Sequence, residues 1–238
     1  MSNKESNSKV ILITGTSQGL GRYLAEYYLN LGWNVVGCSR TNVKIDNTLY
    51  THFQCDISDE INIKDIYQFI KRTFKKLDVL INNAAINPTY ISSVLLSHEK
   101  INMAYATNVF APMIFSSEAV KIMMRAKYGR IINIGSMVTK HEKFGGVLYS
   151  PTKVAMNTYT RILAKEVYKN GITVNVVAPS AIKTELANNT DQSALTEVLS
   201  RNAIQNYGEM SDVTNVIDLL IKEESNALTG QVFYLGGV

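Results

Sequence analysis

The sequence predicts an α/β fold, a doubly wound parallel sheet of about seven strands with helices on both faces. Three observations carry that reading. Short apolar runs such as Val10–Ile13, Arg130–Ile134 and Ile172–Val177 alternate along the chain with longer stretches whose apolar residues recur every three to four positions. The short runs are predominantly apolar, Val10–Ile13 throughout, as strands covered on both faces are, where a half-exposed sheet would alternate strictly. The first run passes through Gly15, Gly19 and Gly21 directly into a helical pattern, and a strand–glycine turn–helix unit is how open α/β sheets begin.

Taken in order, Val10–Ile13 is the first strand, and Leu20, Leu24, Tyr28 and Leu31 mark the buried stripe of the helix behind the glycine turn. Asn34–Cys38 and His52–Gln54 read as the second and third strands. Ile63, Ile66, Ile70, Phe74 and Leu77 give a helix over Ile61–Leu77, followed by a fourth strand at Val79–Ile81. The pattern is helical over Glu99–Met124 and again over Tyr149–Lys169, with strands at Arg130–Ile134 and Ile172–Val177 between and after. Ser211–Ile221 closes as a helix and Gln231–Leu235 as a strand. No repeat or linker divides the chain, so residues 10–238 are expected to form one domain behind a polar tail, residues 1–9. The polar, weakly patterned region Glu185–Glu209 is the candidate substrate lid.

Composition narrows the function. The chain of 238 residues is 46% hydrophobic and carries a net charge of +4. Its one basic cluster, Lys71, Arg72, Lys75 and Lys76, has the spacing of a solvated helix face and lacks the interleaved aromatics of a nucleic-acid surface. Cys38 and Cys55 have no metal-ligand spacing and read as reduced structural thiols, so no metal site is expected. With no apolar leader and no run of eighteen apolar residues, the expectation is a soluble cytoplasmic protein that binds neither membrane nor nucleic acid.

The loop Thr14-Gly15-Thr16-Ser17-Gln18-Gly19-Leu20-Gly21 suits a dinucleotide. Its glycines allow a tight turn and close approach to a pyrophosphate, while the start of the following helix attracts the charge. At the end of the second strand stand Ser39 and Arg40, where an NAD-preferring site would place a carboxylate. A hydroxyl and a guanidinium can hydrogen-bond a ribose 2′-phosphate, so NADP(H) is favoured over NAD(H). Asp56, with Ile57 beside it at the end of the third strand, either receives the adenine amino group or caps the next helix near Ser58 or Asp59.

Tyr149 and Lys153 stand four apart at the start of a helix, hence on one face, with Pro151 in the first turn. A tyrosine near its usual pKa of about 10 is a poor acid–base catalyst, and a neighbouring ammonium should lower it. Ser136, at the end of the strand Arg130–Ile134, can donate to a carbonyl oxygen on which charge develops. Lys140, His141 and Lys143 form a basic loop that either meets an anionic substrate or is merely solvated.

The glycine loop, Asn82-Asn83-Ala84-Ala85 after the fourth strand, Asn108, Ser136, Tyr149-Ser150-Pro151-Thr152-Lys153, and Pro179 with Ile182 and Thr184 occur in one order along the chain. In that combination the chain resembles the short-chain dehydrogenase/reductase family, in its compact single-domain Rossmann-type branch, from about Val10 to Gly237. The resemblance implies an oxidoreductase similar to 3-oxoacyl-acyl-carrier-protein reductases, acting on a small or carrier-bound carbonyl substrate. Sugar, sugar-nucleotide or polyol oxidoreduction is the alternative, and a non-catalytic nicotinamide sensor a third. A longer-branch epimerase would need a further carboxyl-terminal domain.

By the same resemblance Tyr149 is the general acid in reduction, Lys153 holds the nicotinamide ribose and tunes Tyr149, and Ser136 orients the carbonyl. Asn108 helps hold a relay water. Gly15, Ser17, Gln18, Gly19, Leu20 and Gly21 border the pyrophosphate, Asn83, Ala84 and Ala85 the adenosine ribose side, and Pro179, Ile182 and Thr184 the carboxamide. A homotetramer or homodimer through the helices around Asn102–Met124 and Tyr149–Lys169 is implied, with Met123, Met124, Val154 and Ile162 serving either that interface or the core. Ala85 and Ser180 stand where the family often has glycine, and Gln18 where some NADP-preferring members are basic.

Overall fold

A computed structural model of the chain describes residues 8–87, 92–142, 144–182 and 199–237. Seven strands, β1 (Val10–Thr14), β2 (Asn34–Ser39), β3 (Tyr50–Gln54), β4 (Val79–Asn82), β5 (Gly129–Ile134), β6 (Ile172–Ala178) and β7 (Val232–Tyr234), form one sheet in the order β3-β2-β1-β4-β5-β6-β7. Every pairing is parallel. Among the described residues the α-helices are α1 (Gly19–Asn30), α2 (Glu60–Thr73), α3 (His98–Tyr105), α4 (Ala111–Ala126), α5 (Val138–His141), α6 (Tyr149–Val167) and α7 (Met210–Leu220).

The sheet separates two cores, and successive residues of β1 supply both. Val10 and Leu12 pack with α2, α4 and α6 on one face, while Ile11 and Ile13 pack with α1 and α7 on the other. That burial on both sides explains the unbroken apolar runs. β3, at the edge, is only half-buried along its length, so its first residues, Tyr50 and Thr51, carry too weak an apolar signal to mark it from sequence.

Helix boundaries follow local chemistry. Asp59 caps α2 by accepting from the N–H of Ile61 at 2.9 Å, and Glu60 in the first turn with Lys71 and Arg72 in the last complement the helix dipole. The helix stops at Thr73, short of the expected Leu77, because Lys75 takes φ +59 and breaks the ladder. Leu77 stays in the core from beyond the helix end. The single helix expected over Glu99–Met124 is α3 and α4 joined by a π-helical segment, Ala106–Phe110. The short helix α5 carries no apolar period of its own.

Among the described residues no helix is long and apolar enough to cross a membrane, and no group of three or more acidic, His or Cys side chains could hold a metal. Of the expected lid, residues 185–198 lie outside the described residues, as does Lys143 of the basic loop.

Candidate active site

The connections after β1 and β4 leave the sheet on opposite faces, and a cleft of about 630 Å³ runs over the carboxyl ends of the strands at that divide. Every expected site residue lines it except Asn108, which lies behind its wall, and Thr184, which lies outside the described residues.

At one end is the glycine loop. Gly15 leaves β1 at φ +76 and donates its N–H to the Cys38 carbonyl at 2.8 Å. A Cβ at Gly21 would stand 2.1 Å from the Gly15 carbonyl oxygen, so only glycine lets α1 begin this close to the loop. Gln18 is the N-cap of α1, yet its side chain makes no capping bond and the first turn contains no acid. Backbone N–H groups and the positive end of the helix are thus offered to the cleft, the donor set a pyrophosphate requires. Thr14 and Asn83 stitch β1 to β4: Thr14 Oγ1 accepts from the N–H groups of Asn83 and Ala84, both at 3.0 Å, and Asn83 Nδ2 donates to the Thr14 carbonyl at 2.9 Å. Asn83 therefore meets the cleft as part of a braced loop, with its amide turned to the glycine turn.

Ser39 and Arg40 form the next stretch of wall, Ser39 buried and Arg40 exposed. Asp56 lies across from them. Its Oδ1 accepts from Ser58 N–H at 2.8 Å and Ser58 Oγ at 2.7 Å, while Asp59 caps α2. The Ser58 amide, with a smaller contribution from the Arg40 guanidinium, holds its carboxyl below the usual range. Cys38 and Cys55 are both free thiols, Cys38 buried; Cys55 forms part of the cleft wall, so only Cys38 is purely a core residue.

The far end holds Ser136, Tyr149 and Lys153. Ser136 lies two residues beyond β5, and its hydroxyl is close enough to the phenol of Tyr149, the first residue of α6, to oppose the upward shift of its pKa. One turn on, Lys153 Nζ sits 5.5 Å from the Tyr149 ring centre and donates to the Ile134 carbonyl at 2.8 Å. Lys153 is 5% exposed, and none of the ion pairs among the described residues includes it. Burial pushes its pKa down to about 8. The expected depression of Tyr149 by that ammonium is not found. Burial pushes the phenol up to about 12, only partly opposed by the nearby Ser136 hydroxyl. The ammonium is turned to the strand carbonyl and desolvation outweighs it, so at neutral pH the phenol is a proton-bearing acid.

Asn108, in the π-helical segment, is 2% exposed. Its Oδ1 accepts from Ile86 N–H at 2.9 Å, and its Nδ2 donates to the Ile86 carbonyl at 2.8 Å and to Thr152 Oγ1 at 3.2 Å. The side chain thereby fixes the chain after β4 against the first turn of α6, one residue from Lys153.

The departures from the resemblance cost nothing visible. Ala85 lines the cleft without a positive φ, and the Ser180 hydroxyl accepts from Asn202 Nδ2 at 2.6 Å. Sequence reasoning missed Ile86, Met103, Met137 and Phe144, which give the cleft an apolar wall. Met103 and Phe144 are 53% and 87% exposed, a signal visible only once the fold has brought them to the cleft. His141, from the basic loop, joins the same wall.

The family model for short chain dehydrogenases matches residues 9–194. A 3-oxoacyl-acyl-carrier-protein reductase, FabG, of Buchnera aphidicola is 31% identical over 98% of each chain, and its Escherichia coli counterpart 28% identical over 96% of each. Among solved structures, ElxO with NADP bound is 29% identical over 96% of this chain and 97% of its own, with a TM-score of 0.87. A 4-hydroxyisoleucine dehydrogenase complexed with NADH is 27% identical over 97% and 98%, with a TM-score of 0.86. The glycine-loop cleft, the seven-stranded sheet and these likenesses together place the chain in the short chain dehydrogenase family.

Proposed function

We propose that the protein reduces a ketone or 3-oxoacyl group to a secondary alcohol with NADPH. The observation that carries the reading is a single cleft that joins a dinucleotide-shaped glycine loop to the neighbouring Ser136 and Tyr149 hydroxyls with a buried ammonium behind them. The nicotinamide cofactor, when bound, supplies the hydride.

This chain's residues do the rest. Ser136 donates to the substrate carbonyl oxygen and holds it at Tyr149. The phenol, protonated at neutral pH, gives its proton to that oxygen as charge develops there. Lys153, mostly protonated below about pH 8, stabilises the phenolate left behind and engages the ribose hydroxyls. Asn108 helps hold a relay water behind Lys153, and its side chain positions the first turn of α6. At the other end the glycine loop and the start of α1 hold the pyrophosphate, with Ser39 and Arg40 on the 2′-phosphate. NADPH is accordingly the preferred donor.

The apolar wall of Ile86, Met103, Met137 and Phe144 favours a substrate with an apolar arm over a sugar or polyol, whose hydroxyls it would strand. Outward-facing Met124, Val154 and Ile162 on α4 and α6, 45%, 46% and 53% exposed, suit a homotetramer or homodimer interface, whereas Met123 belongs to the core.

The test is loss of reduced-nicotinamide absorbance with purified protein, NADPH or NADH, and a panel holding a 3-oxoacyl thioester, simple ketones and oxidised sugars. NADPH oxidation with the thioester or a ketone supports the reading. Turnover confined to sugars transfers it to the polyol class, and cofactor binding with no turnover on any acceptor favours a sensor.

A further inference from the structure

The turn after β2 that carries Ser39 and Arg40 is held from β3 by two side chains. His52 Nε2 lies 3.1 Å from the Thr41 carbonyl oxygen, and Gln54 Nε2 donates to the Arg40 carbonyl at 3.2 Å. Register explains the reach: Gly37 pairs with His52 and Ser39 with Gln54, so both side chains lie alongside the strand end from which the turn departs.

A chain of hydroxyls fixes the protons of the ring. A carbonyl can only accept, so Nε2 bears the hydrogen, and Nδ1 then accepts from the Tyr50 hydroxyl at 2.8 Å. Tyr50 in turn accepts from Thr16 Oγ1 at 2.9 Å, inside the glycine loop. The site is shaped around this chain: a Cβ at Gly37 would stand 2.4 Å from the Tyr50 hydroxyl and 2.6 Å from that of Thr16. Burial keeps the His52 pKa below its usual value, so the neutral ring persists at pH 7.

Ser39 also donates to the Thr41 carbonyl, at 2.8 Å, and its Oγ lies 3.3 Å from His52 Nε2. One carbonyl is thus shared by two donors. To bind a phosphate, the Ser39 hydroxyl must turn its proton from Thr41 to a phosphate oxygen, and the carbonyl it leaves needs the other donor.

We propose that His52, supported by Gln54, is a positioning residue for recognition of the adenosine 2′-phosphate: it keeps the Thr41 carbonyl satisfied and the turn in shape while Ser39 and Arg40 take the phosphate. The inference rests on the NADPH reading above. With NADH no phosphate calls on Ser39, and the contribution of His52 to binding is small. His52 thereby sets cofactor preference from a strand that the phosphate does not touch.

The test is fluorescence titration of NADPH and of NADH against the intact protein, comparing the ratio of the two Kd values. Since a hydrogen bond of this kind contributes about 1 kcal/mol, His52→Leu should weaken NADPH about 5-fold while leaving NADH nearly unchanged. Gln54→Ala, on the exposed strand edge, should move the ratio the same way. His52→Gln, which can donate to Thr41 and accept from Tyr50, should restore it. Equal weakening of both cofactors, or no change in the ratio for His52→Leu, overturns the proposal. Arg40→Ala separates the layers: if it leaves the ratio unmoved, the 2′-phosphate reading itself fails, and if it collapses the ratio while His52→Leu does not, only the role of His52 fails.

Discussion

Replacing Lys153 by methionine removes a buried ammonium while keeping most of the side-chain volume, and its signature is a change in how stability depends on pH. In the folded protein burial lowers the lysine pKa from 10.5 to about 8. At about 1.4 kcal/mol per pH unit, holding the charged form in the fold costs about 3 kcal/mol. Because the folded pKa lies below the unfolded one, the unfolded chain binds the extra proton between those values. The cost is fully present below pH 8 and is relieved as pH rises toward 10.5. Between pH 7 and pH 9.5 the wild type should therefore gain about 2 kcal/mol relative to Lys153→Met. Urea unfolding of both proteins across that range, at one fixed protein concentration, reads the difference and cancels the titration of all other groups. Parallel stability curves would refute the buried, unpaired ammonium. The offset at pH 7 is set separately, because the variant also orphans the Ile134 carbonyl.

The buried asparagine and the glycine loop give two further predictions. Asn108→Ala strips both Ile86 backbone groups of their partner and should destabilise the fold by about 2–3 kcal/mol in urea unfolding; a loss below about 0.5 kcal/mol would contradict the bracing role. Gly21→Ala places a methyl 2.1 Å from the Gly15 carbonyl oxygen. Overpacking of that kind costs about 1–3 kcal/mol, so the NADPH Kd should rise about 5- to 150-fold by fluorescence titration, and an unchanged Kd would remove the loop from the cofactor site.

Much of this was legible in the sequence because strands buried on both faces are predominantly apolar, and because Gly15, Gly21, Ser136, Tyr149 and Lys153 sit at junctions the alternation already locates. What was not legible depends on contacts between distant residues. The π-helical segment at Ala106–Phe110 has no periodic signature, since Asn108 acts there by reaching Ile86 and Thr152. The end of α2 was masked by Leu77, which continues the apolar period from outside the helix. The direction of the Tyr149 shift could not be read from a spacing of four, because spacing gives the neighbour and says nothing of how far burial outweighs it.

The central claim is that the phenol of Tyr149 gives its proton to a carbonyl reduced in this cleft. Comparing wild type with Tyr149→Phe tests it most directly, by NADPH oxidation with whichever acceptor the wild type turns over and by NADPH titration in parallel. Turnover should fall by at least about 100-fold while the NADPH Kd stays within about threefold. Retained turnover in the variant would contradict the mechanism, whatever its cofactor affinity.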